Sequence, residues 1–498
     1  MEILVELWYN ANRNMDRRSF LVGSASLAGT MGVRAAVLPS PGPVRLRIGV
    51  LSDIHVDVED GEAISRWERA LREFDAWKAD GVLVCGDLAD WGLDCELEWV
   101  AKTWFKVFPG NRRSDGAPVA NLLHYGDHDT SGYTYRGCPP CAKAWPDEAE
   151  MKKRIIPLND RKAIWERCFR EPWAPIVHKK VKGYDFVLSH FTKGEKGNEA
   201  GDNVPGLAEF LAAKKFDPAR PFFYSQHRVP FFTAGGPFVW GQDDGTVSRL
   251  FNAKYPNAIA FCGHAHLTAG EEQSIWQGGF TCIEVPSLNY SVTLGGRENG
   301  FSLTDMPYAK PCPAMPAAPC GVRSQGYFVT VCDRAMVVRR WNFLDGGVVG
   351  PDWTVPLGPG RGKPYARDVR REREAAPEFA EGAKITFGKA CGKDRMGNEH
   401  DFVTVGFPIA EATATTPRAN DYEVRLNVLR GDVALTVSTR RVFSPGYGRA
   451  LSVDKGPVVC NFPVEDIPGG GQRIGFEVRP VNSFGRFGTP IAARYKAT

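Results

Sequence analysis

The chain has 498 residues, which exceeds the size of one ordinary hydrophobic core and predicts two or three domains. Hydrophobic residues make up 43% and charged residues 24%, which excludes a largely disordered or collagenous chain. The net charge is only +4 and the basic residues form no stripe, so we find no nucleic-acid footprint.

Residues 1–43 differ from the rest of the chain. Arg17 and Arg18 precede Ser-Phe-Leu and a mildly apolar, Gly- and Ala-rich stretch that continues to Leu38. This pattern resembles a twin-arginine signal, which implies export of the folded protein by the twin-arginine machinery to the periplasm or the extracellular space. The alternatives are a chance Arg-Arg pair before an apolar helix, or an uncleaved anchor. Since the stretch barely reaches spanning length, we expect no stable membrane span in the mature chain.

Residues 44–358 show short apolar runs that alternate with helical periodicity, which is typical of an α/β domain. A helix is predicted around Trp67, Leu71 and Phe74, because these residues recur at helical spacing. The predicted strands are 46–51, 82–85, 121–125, 184–188, 221–224 and 258–262.

The composition changes after residue 358. Residues 359–380 are rich in Gly, Pro, Arg and Glu, which predicts an exposed linker or a charged connecting helix. Residues 381–498 then alternate apolar and polar positions, as at Tyr422, Val424 and Leu426, which is typical of an all-β sandwich of immunoglobulin size. The segment 476–485 resembles a late strand of fibronectin type III domains.

Five of the predicted strands are followed by residue types that bind metals. Five of only nine histidines fall in these places, although an isolated histidine is more often a core or surface residue. The ends of successive parallel strands meet at one edge of a sheet, so these side chains are expected to lie together. They are Asp53 and His55; Asp87; Asp127, His128 and Asp129; His227; and His264 with His266.

These motifs, in this order, resemble the motif set of the calcineurin-like metallophosphoesterases over about residues 46–345. The resemblance implies a four-layer α/β/β/α sandwich with two metal ions, drawn from Mn, Fe, Zn and Mg. One metal would be held by Asp53, His55, Asp87 and His266. The other would be held by Asp87, Asp127, His227 and His264.

The resemblance also implies an activity. A dinuclear site of this kind hydrolyses phosphate esters of small molecules by in-line attack of a metal-bridging hydroxide. His128 would stay off the metals and assist the leaving oxygen, and Asp129 would orient the His128 ring. Because every implied ligand precedes residue 358, we expect a chain cut there to fold and to bind metals.

Two positions bear on the properties of the second metal and on which class of phosphate ester is preferred. Asp127 stands where the family has Asn, which adds a negative charge at the second metal. Asp90 stands where purple acid phosphatases carry a tyrosine ligand, and Gly-Asp-x-x-Asp resembles the cyclic-nucleotide-phosphodiesterase-like branch. We therefore expect a slight preference for phosphodiesters, although Asp90 could instead cap a helix.

Other interpretations stay open. The protein could be a phosphomonoesterase similar to purple acid phosphatases, or a degenerate enzyme that binds a phosphate ligand without turnover. Arg228 could reach a phosphate oxygen or pair at the surface. Cys85 and Cys262 lie in apolar runs and are expected to be buried thiols, whereas the Cys138/Cys141 and Cys312/Cys320 loops are expected to hold local disulfides.

Overall fold

The computed structural model describes residues 40–57, 61–130, 161–192, 206–236, 239–293, 297–299, 324–358, 360, 362–393, 398–410, 418–453 and 456–496. The predicted signal with Arg17 and Arg18 and the two cysteine-containing loops lie outside the described residues. Residues Pro39–Thr498 form one compact unit.

Two sheets make up the first part of the described chain. The first sheet has the order β12-β11-β10-β1-β2-β3, with β13 added beside β11; the second has the order β4-β5-β6-β7-β9-β8. Strands of the first sheet are β1 Val44–Leu51, β2 Gly81–Cys85, β3 Ala120–His124, β10 Gln325–Cys332, β11 Ala335–Asn342, β12 Gly347–Val348 and β13 Trp353–Pro356. Strands of the second are β4 Ile176–Val181, β5 Tyr184–Ser189, β6 Phe222–Ser225, β7 Ala258–Cys262, β8 Ile275–Gln277 and β9 Thr281–Glu284.

Helices cover the sheets, and three apolar cores separate the layers. The described helices are α1 Gly61–Ala76, α2 Asp94–Val107, α3 Arg161–Phe169, α4 Leu207–Ala212, α5 Thr246–Lys254 and α6 Arg367–Arg373. One core joins α1, α2 and α3 to the first sheet, the second lies between the sheets, and the third joins the second sheet to α4 and α5. Gly49 in β1 lets α1 approach closely, because a Cβ there would lie 2.5 Å from the Phe74 ring.

The parallel strands bring the predicted site motifs together. In the first sheet β1, β2 and β3 run parallel, and in the second β5, β6, β7 and β9 do so. Their carboxyl ends share one edge of the layered structure, which is where α/β proteins place their sites. Cys85 and Cys262, at two of these ends, are buried thiols, which confirms that prediction.

The described C-terminal residues form two β-sheets, and the predicted β structure of this region is thus present. They form a three-stranded sheet of order β14-β15-β18 and a four-stranded sheet of order β17-β16-β19-β20, both antiparallel. The strands are β14 Thr386–Lys393, β15 Glu399–Phe407, β16 Asp421–Arg430, β17 Val433–Phe443, β18 Val458–Pro463, β19 Arg473–Val481 and β20 Ile491–Tyr495. Side chains of both sheets enclose a fourth apolar core.

Charged and polar groups join the C-terminal residues to the two-sheet region. Glu272 Oε1 forms an ion pair with Arg340 Nη1 at 2.7 Å, and its other oxygen accepts from Arg370 Nη2 of α6 at 2.6 Å. The Tyr447 hydroxyl donates to Glu271 Oε2 at 3.0 Å. Residues 367–373 therefore form a connecting helix that is anchored by its buried Arg370.

Candidate metal centre

The loops that follow the strands hold the candidate ligands in strained backbone conformations. Asp53 and His55 both have left-handed φ values, 52° and 46°. Asp87, His264 and His266 also have positive φ, at 53°, 69° and 53°. Left-handed backbone is costly for residues with a Cβ, and it persists where surrounding structure enforces a functional geometry.

Two glycines make room for these loops. Gly86 has φ of 87°, and a Cβ there would lie 2.6 Å from Nδ1 of His227. A Cβ on Gly126 would collide with the backbone N and the carboxylate of Asp87. The Gly-Asp motifs thus permit two loops to pass in direct contact at the site.

The first group of candidate ligands joins the loops after β1, β2 and β7. Their ligand atoms lie within 4.8 Å of one another, and the four residues are Asp53, His55, Asp87 and His266. His266 Nε2 lies 3.0 Å from Asp53 Oδ1 and 3.2 Å from His55 Nε2. Nitrogen and oxygen atoms therefore converge on one point.

The second group joins the loops after β2, β3, β6 and β7. It consists of Asp87, Asp127, His227 and His264, again within 4.8 Å. His227 Nε2 lies 3.1 Å from each of Asp87 Oδ2 and Asp127 Oδ1. Asp87 belongs to both groups, and its Oδ2 also lies 3.6 Å from His55 Nε2, so this carboxylate can bridge two cations.

The histidine rings are oriented as metal ligands require. His55 Nδ1 donates to Asp90 Oδ1 at 2.9 Å, His227 Nδ1 to the Cys85 carbonyl at 2.7 Å, and His266 Nδ1 to the Tyr290 carbonyl at 2.9 Å. A neutral ring that donates through Nδ1 presents the lone pair of Nε2, which here faces the cluster.

Two buried oxygens at the centre provide an independent test of the fit. Asp53 Oδ1 and Asp87 Oδ2 accept no hydrogen bond from the described residues. A buried carboxylate oxygen without a donor is costly unless a cation satisfies it. The donor set therefore fits a pair of cations with oxygen and imidazole ligands.

The charges of these residues are interdependent. Burial raises the pKa of Asp87 well above its ordinary value, and the carboxylates of Asp127 and Asp53 add to this rise against the opposing effect of His227. Burial also acts to raise the pKa of Asp127, but the His264 and His227 imidazoles outweigh it and bring that pKa well below its ordinary value. Positive charge at the centre would relieve the repulsion among the carboxylates.

Asp90 has a different environment from a helix cap. Helix α2 begins at Asp94 and its N-cap is Leu93, so the capping alternative is wrong. Instead, the Asp90 carboxylate holds the His55 ring, and its carbonyl accepts from His128 Nδ1 at 2.7 Å. Asp90 therefore orients one candidate ligand and one candidate catalytic histidine.

His128 and Asp129 both lie at the site, but the Asp129 carboxylate and the His128 ring each have other hydrogen-bond partners. The Asp129 carboxylate accepts from the backbone N–H groups of Leu88, Ala89 and Gly126 at 3.1, 2.7 and 2.7 Å, so it fastens two loops together. The His128 ring is oriented by the Asp90 carbonyl instead. Orientation of His128 by Asp129 was therefore the wrong assignment.

Sequence reasoning missed the backbone groups that orient the rings. Every residue has a backbone carbonyl, so residue type cannot show that the carbonyls of Cys85 and Tyr290 orient histidine rings. Tyr290 follows β9, and the centroid of its ring lies 4.3 Å from the centroid of the His266 ring. Asn289 Nδ2 donates to the His55 carbonyl at 3.2 Å, so Asn289 braces a ligand loop.

The family model of the calcineurin-like phosphoesterases matches residues 46–267, the segment that contains every candidate ligand. Residues 46–267 are a calcineurin-like phosphoesterase domain. The protein is thus a metal-dependent phosphoester hydrolase, and the two ligand groups indicate a dinuclear metal site in this domain. No curated protein sequence matches the chain.

Several solved structures are similar to the chain. A dimetal phosphatase from Danio rerio has 10% identity and a TM-score of 0.37, over 64% of this chain and 100% of its own. The inner-membrane-complex anchor protein of Plasmodium has 13% identity and a TM-score of 0.35, over 65% and 91%. A purple acid phosphatase from yellow lupin seeds has 15% identity and a TM-score of 0.37, over 64% and 55%. These scores are too low for the properties of these proteins to be carried over to this chain.

Proposed function

We propose that the phosphoesterase domain hydrolyses a phosphate ester of a small molecule at a dinuclear centre built from the two ligand groups. The observation that carries this proposal is the shared carboxylate: Asp87 Oδ2 lies near His55 of one group and His227 of the other. Two cations held there would supply Lewis acidity and an activated water.

The residues around the centre would hold and protonate the ester. His128 is only partly exposed, with 15% of its side chain accessible, and its Nδ1–H is fixed on the Asp90 carbonyl. Its Nε2 is therefore the atom that would exchange a proton with the leaving oxygen. Asp129 acts through the loops that it joins, since its carboxylate is occupied by backbone N–H groups.

We propose further that phosphodiesters are slightly preferred to monoesters. The support is the Gly-Asp-x-x-Asp sequence that ends at Asp90, together with the hydrogen bonds that Asp90 makes to His55 and His128. The rival activity is hydrolysis of phosphomonoesters. A monoester carries more negative charge than a diester, so the cationic Arg228 near the centre would favour its binding.

One experiment separates these possibilities. Elemental analysis of protein purified without added metal should give about two transition-metal ions per chain, and chelation should abolish hydrolysis. A panel of paired diesters and monoesters then gives kcat/KM for each class. Higher values for monoesters would overturn the diester preference, and retained affinity without turnover would identify a degenerate binding protein.

We also propose export through the twin-arginine route, supported by Arg17-Arg18-Ser-Phe-Leu. None of the helices in the described part of the chain combines the length and apolar character that a bilayer crossing requires. Replacing both arginines by lysine should retain the protein in the cytoplasm, as judged by cell fractionation. Normal export of that variant would refute the proposal.

For the C-terminal region we propose a fibronectin type III-like sandwich in residues 381–498. The support is its division into three- and four-stranded antiparallel sheets around a single core. The proposed domain limits are 44–358 for the phosphoesterase domain and 359–380 for the connecting segment.

A further inference from the structure

The two carboxylate oxygens of Asp127 face different partners. Oδ1 lies 3.1 Å from His227 Nε2 and 3.4 Å from His264 Nδ1, so it faces the metal centre. Oδ2 lies 3.8 Å from Nη2 of Arg228. Asp127 thus connects a candidate metal ligand group to a guanidinium cation.

The structure holds Arg228 in place from several sides. Its carbonyl accepts from Gln226 Nε2 at 2.9 Å, and the same amide nitrogen donates to Asp243 Oδ2 at 2.9 Å. Its guanidinium carbon lies 5.4 Å from the centroid of the Phe191 ring. The side chain is 14% exposed, so the cation is mostly shielded from solvent yet still reachable. A charged group that is fixed before a ligand arrives loses little entropy when it binds.

We propose that Arg228 and Asp127 act as one unit that recognises the phosphoryl group of the substrate. This inference rests on the proposed function. Arg228 donates to a non-bridging phosphoryl oxygen, and Asp127 holds the guanidinium beside the metal centre. A guanidinium carries five N–H donors in one plane, a geometry that suits the oxygens of a phosphoryl group.

The pair also explains why a carboxylate suits position 127. An asparagine there would turn its oxygen to the metal centre and its NH₂ group to Arg228, so that two hydrogen-bond donors would oppose each other. With aspartate at this position, both carboxylate oxygens can accept: one faces the metal centre and the other faces Arg228. The residue at 127 and the residue at 228 are therefore expected to be energetically coupled.

The test of recognition uses inorganic phosphate as the probe. Calorimetric titration of metal-loaded protein should show that Arg228→Ala weakens phosphate binding about tenfold to hundredfold, while the metal content stays at the level of the parent. Arg228→Lys should keep part of the affinity, because it retains charge without the planar geometry. Arg249→Ala removes an exposed arginine from a neighbouring helix and is the matched control, with no change expected.

The test of coupling uses metal titration of the apo protein. Asp127→Asn should weaken metal binding about tenfold, and adding Arg228→Gln should restore much of it, because the glutamine carbonyl can accept from the asparagine amide. Phosphate affinity unchanged in Arg228→Ala, or strictly additive effects of the two substitutions, would overturn the proposal. A parent protein that binds no metal and hydrolyses no ester would instead refute the proposed function itself.

Discussion

Replacing Glu272 by glutamine should destabilise the protein through loss of a buried ion-pair network. The Glu272 carboxylate joins Arg340 and Arg370, whose side chains are 1% and 4% exposed, and it also accepts from Trp353 Nε1 at 3.1 Å. Burial acts to raise the pKa of Glu272, but the two guanidinium groups outweigh it and lower that pKa from 4.5 to about 2. Glu272→Gln removes the charged partner of Arg340 and leaves Arg370 paired with Glu374 only.

The magnitude follows from the pKa. At 1.36 kcal/mol per pKa unit, the lowered pKa of Glu272 corresponds to at most about 3 kcal/mol of folding stability at neutral pH. Because the folded pKa of Glu272 is lowered, this contribution is complete above pH 4.5 and is lost as the pH falls toward 2. At pH 3.5 about 2 kcal/mol should remain.

Urea unfolding of the parent and of Glu272→Gln between pH 7 and 3.5 measures this difference. The control is Asp352→Asn, which removes an ion pair with Arg339, a side chain that is 53% exposed; we expect a change within about 0.5 kcal/mol. A Glu272→Gln difference that is the same at every pH would show that the carboxylate is not stabilised by its charge. A difference no larger than that of the control would show that the network is not holding the two regions together.

Three further outcomes are expected. His128→Ala should lower kcat roughly 100-fold and leave the metal content unchanged, as measured by turnover and elemental analysis; loss of metal would make His128 a ligand. Asp90→Asn should weaken metal binding about tenfold to 100-fold in a metal titration, because His55 loses its charged partner; unchanged affinity would refute that role. A chain cut after residue 358 lacks Arg370 and Tyr447, so Glu271 and Glu272 lose those partners; we now expect a less soluble product with a lower melting temperature, and a fully stable fragment would contradict this.

This last expectation differs from the one based on sequence, for a physical reason. The composition break at residue 358 correctly locates the end of the α/β pattern. It carries no information on how the parts pack, because contacts such as that between Tyr447 and Glu271 join residues 176 positions apart. Glu271 is 1% exposed, so a cut would expose a buried carboxyl together with its surroundings.

The sequence by itself determined the α/β core, the C-terminal β region and the candidate ligands, because each depends on local patterns. Apolar runs predict strands, and ligand residue types directly after parallel strands must meet at one sheet edge. Only the tertiary structure decided the groups that orient those ligands. The Cys85 carbonyl that fixes His227 and the Asp90 carbonyl that fixes His128 are backbone atoms, and every residue has one. Which carbonyl reaches which ring depends on the approach of loops far apart in the chain, and residue types do not record that approach.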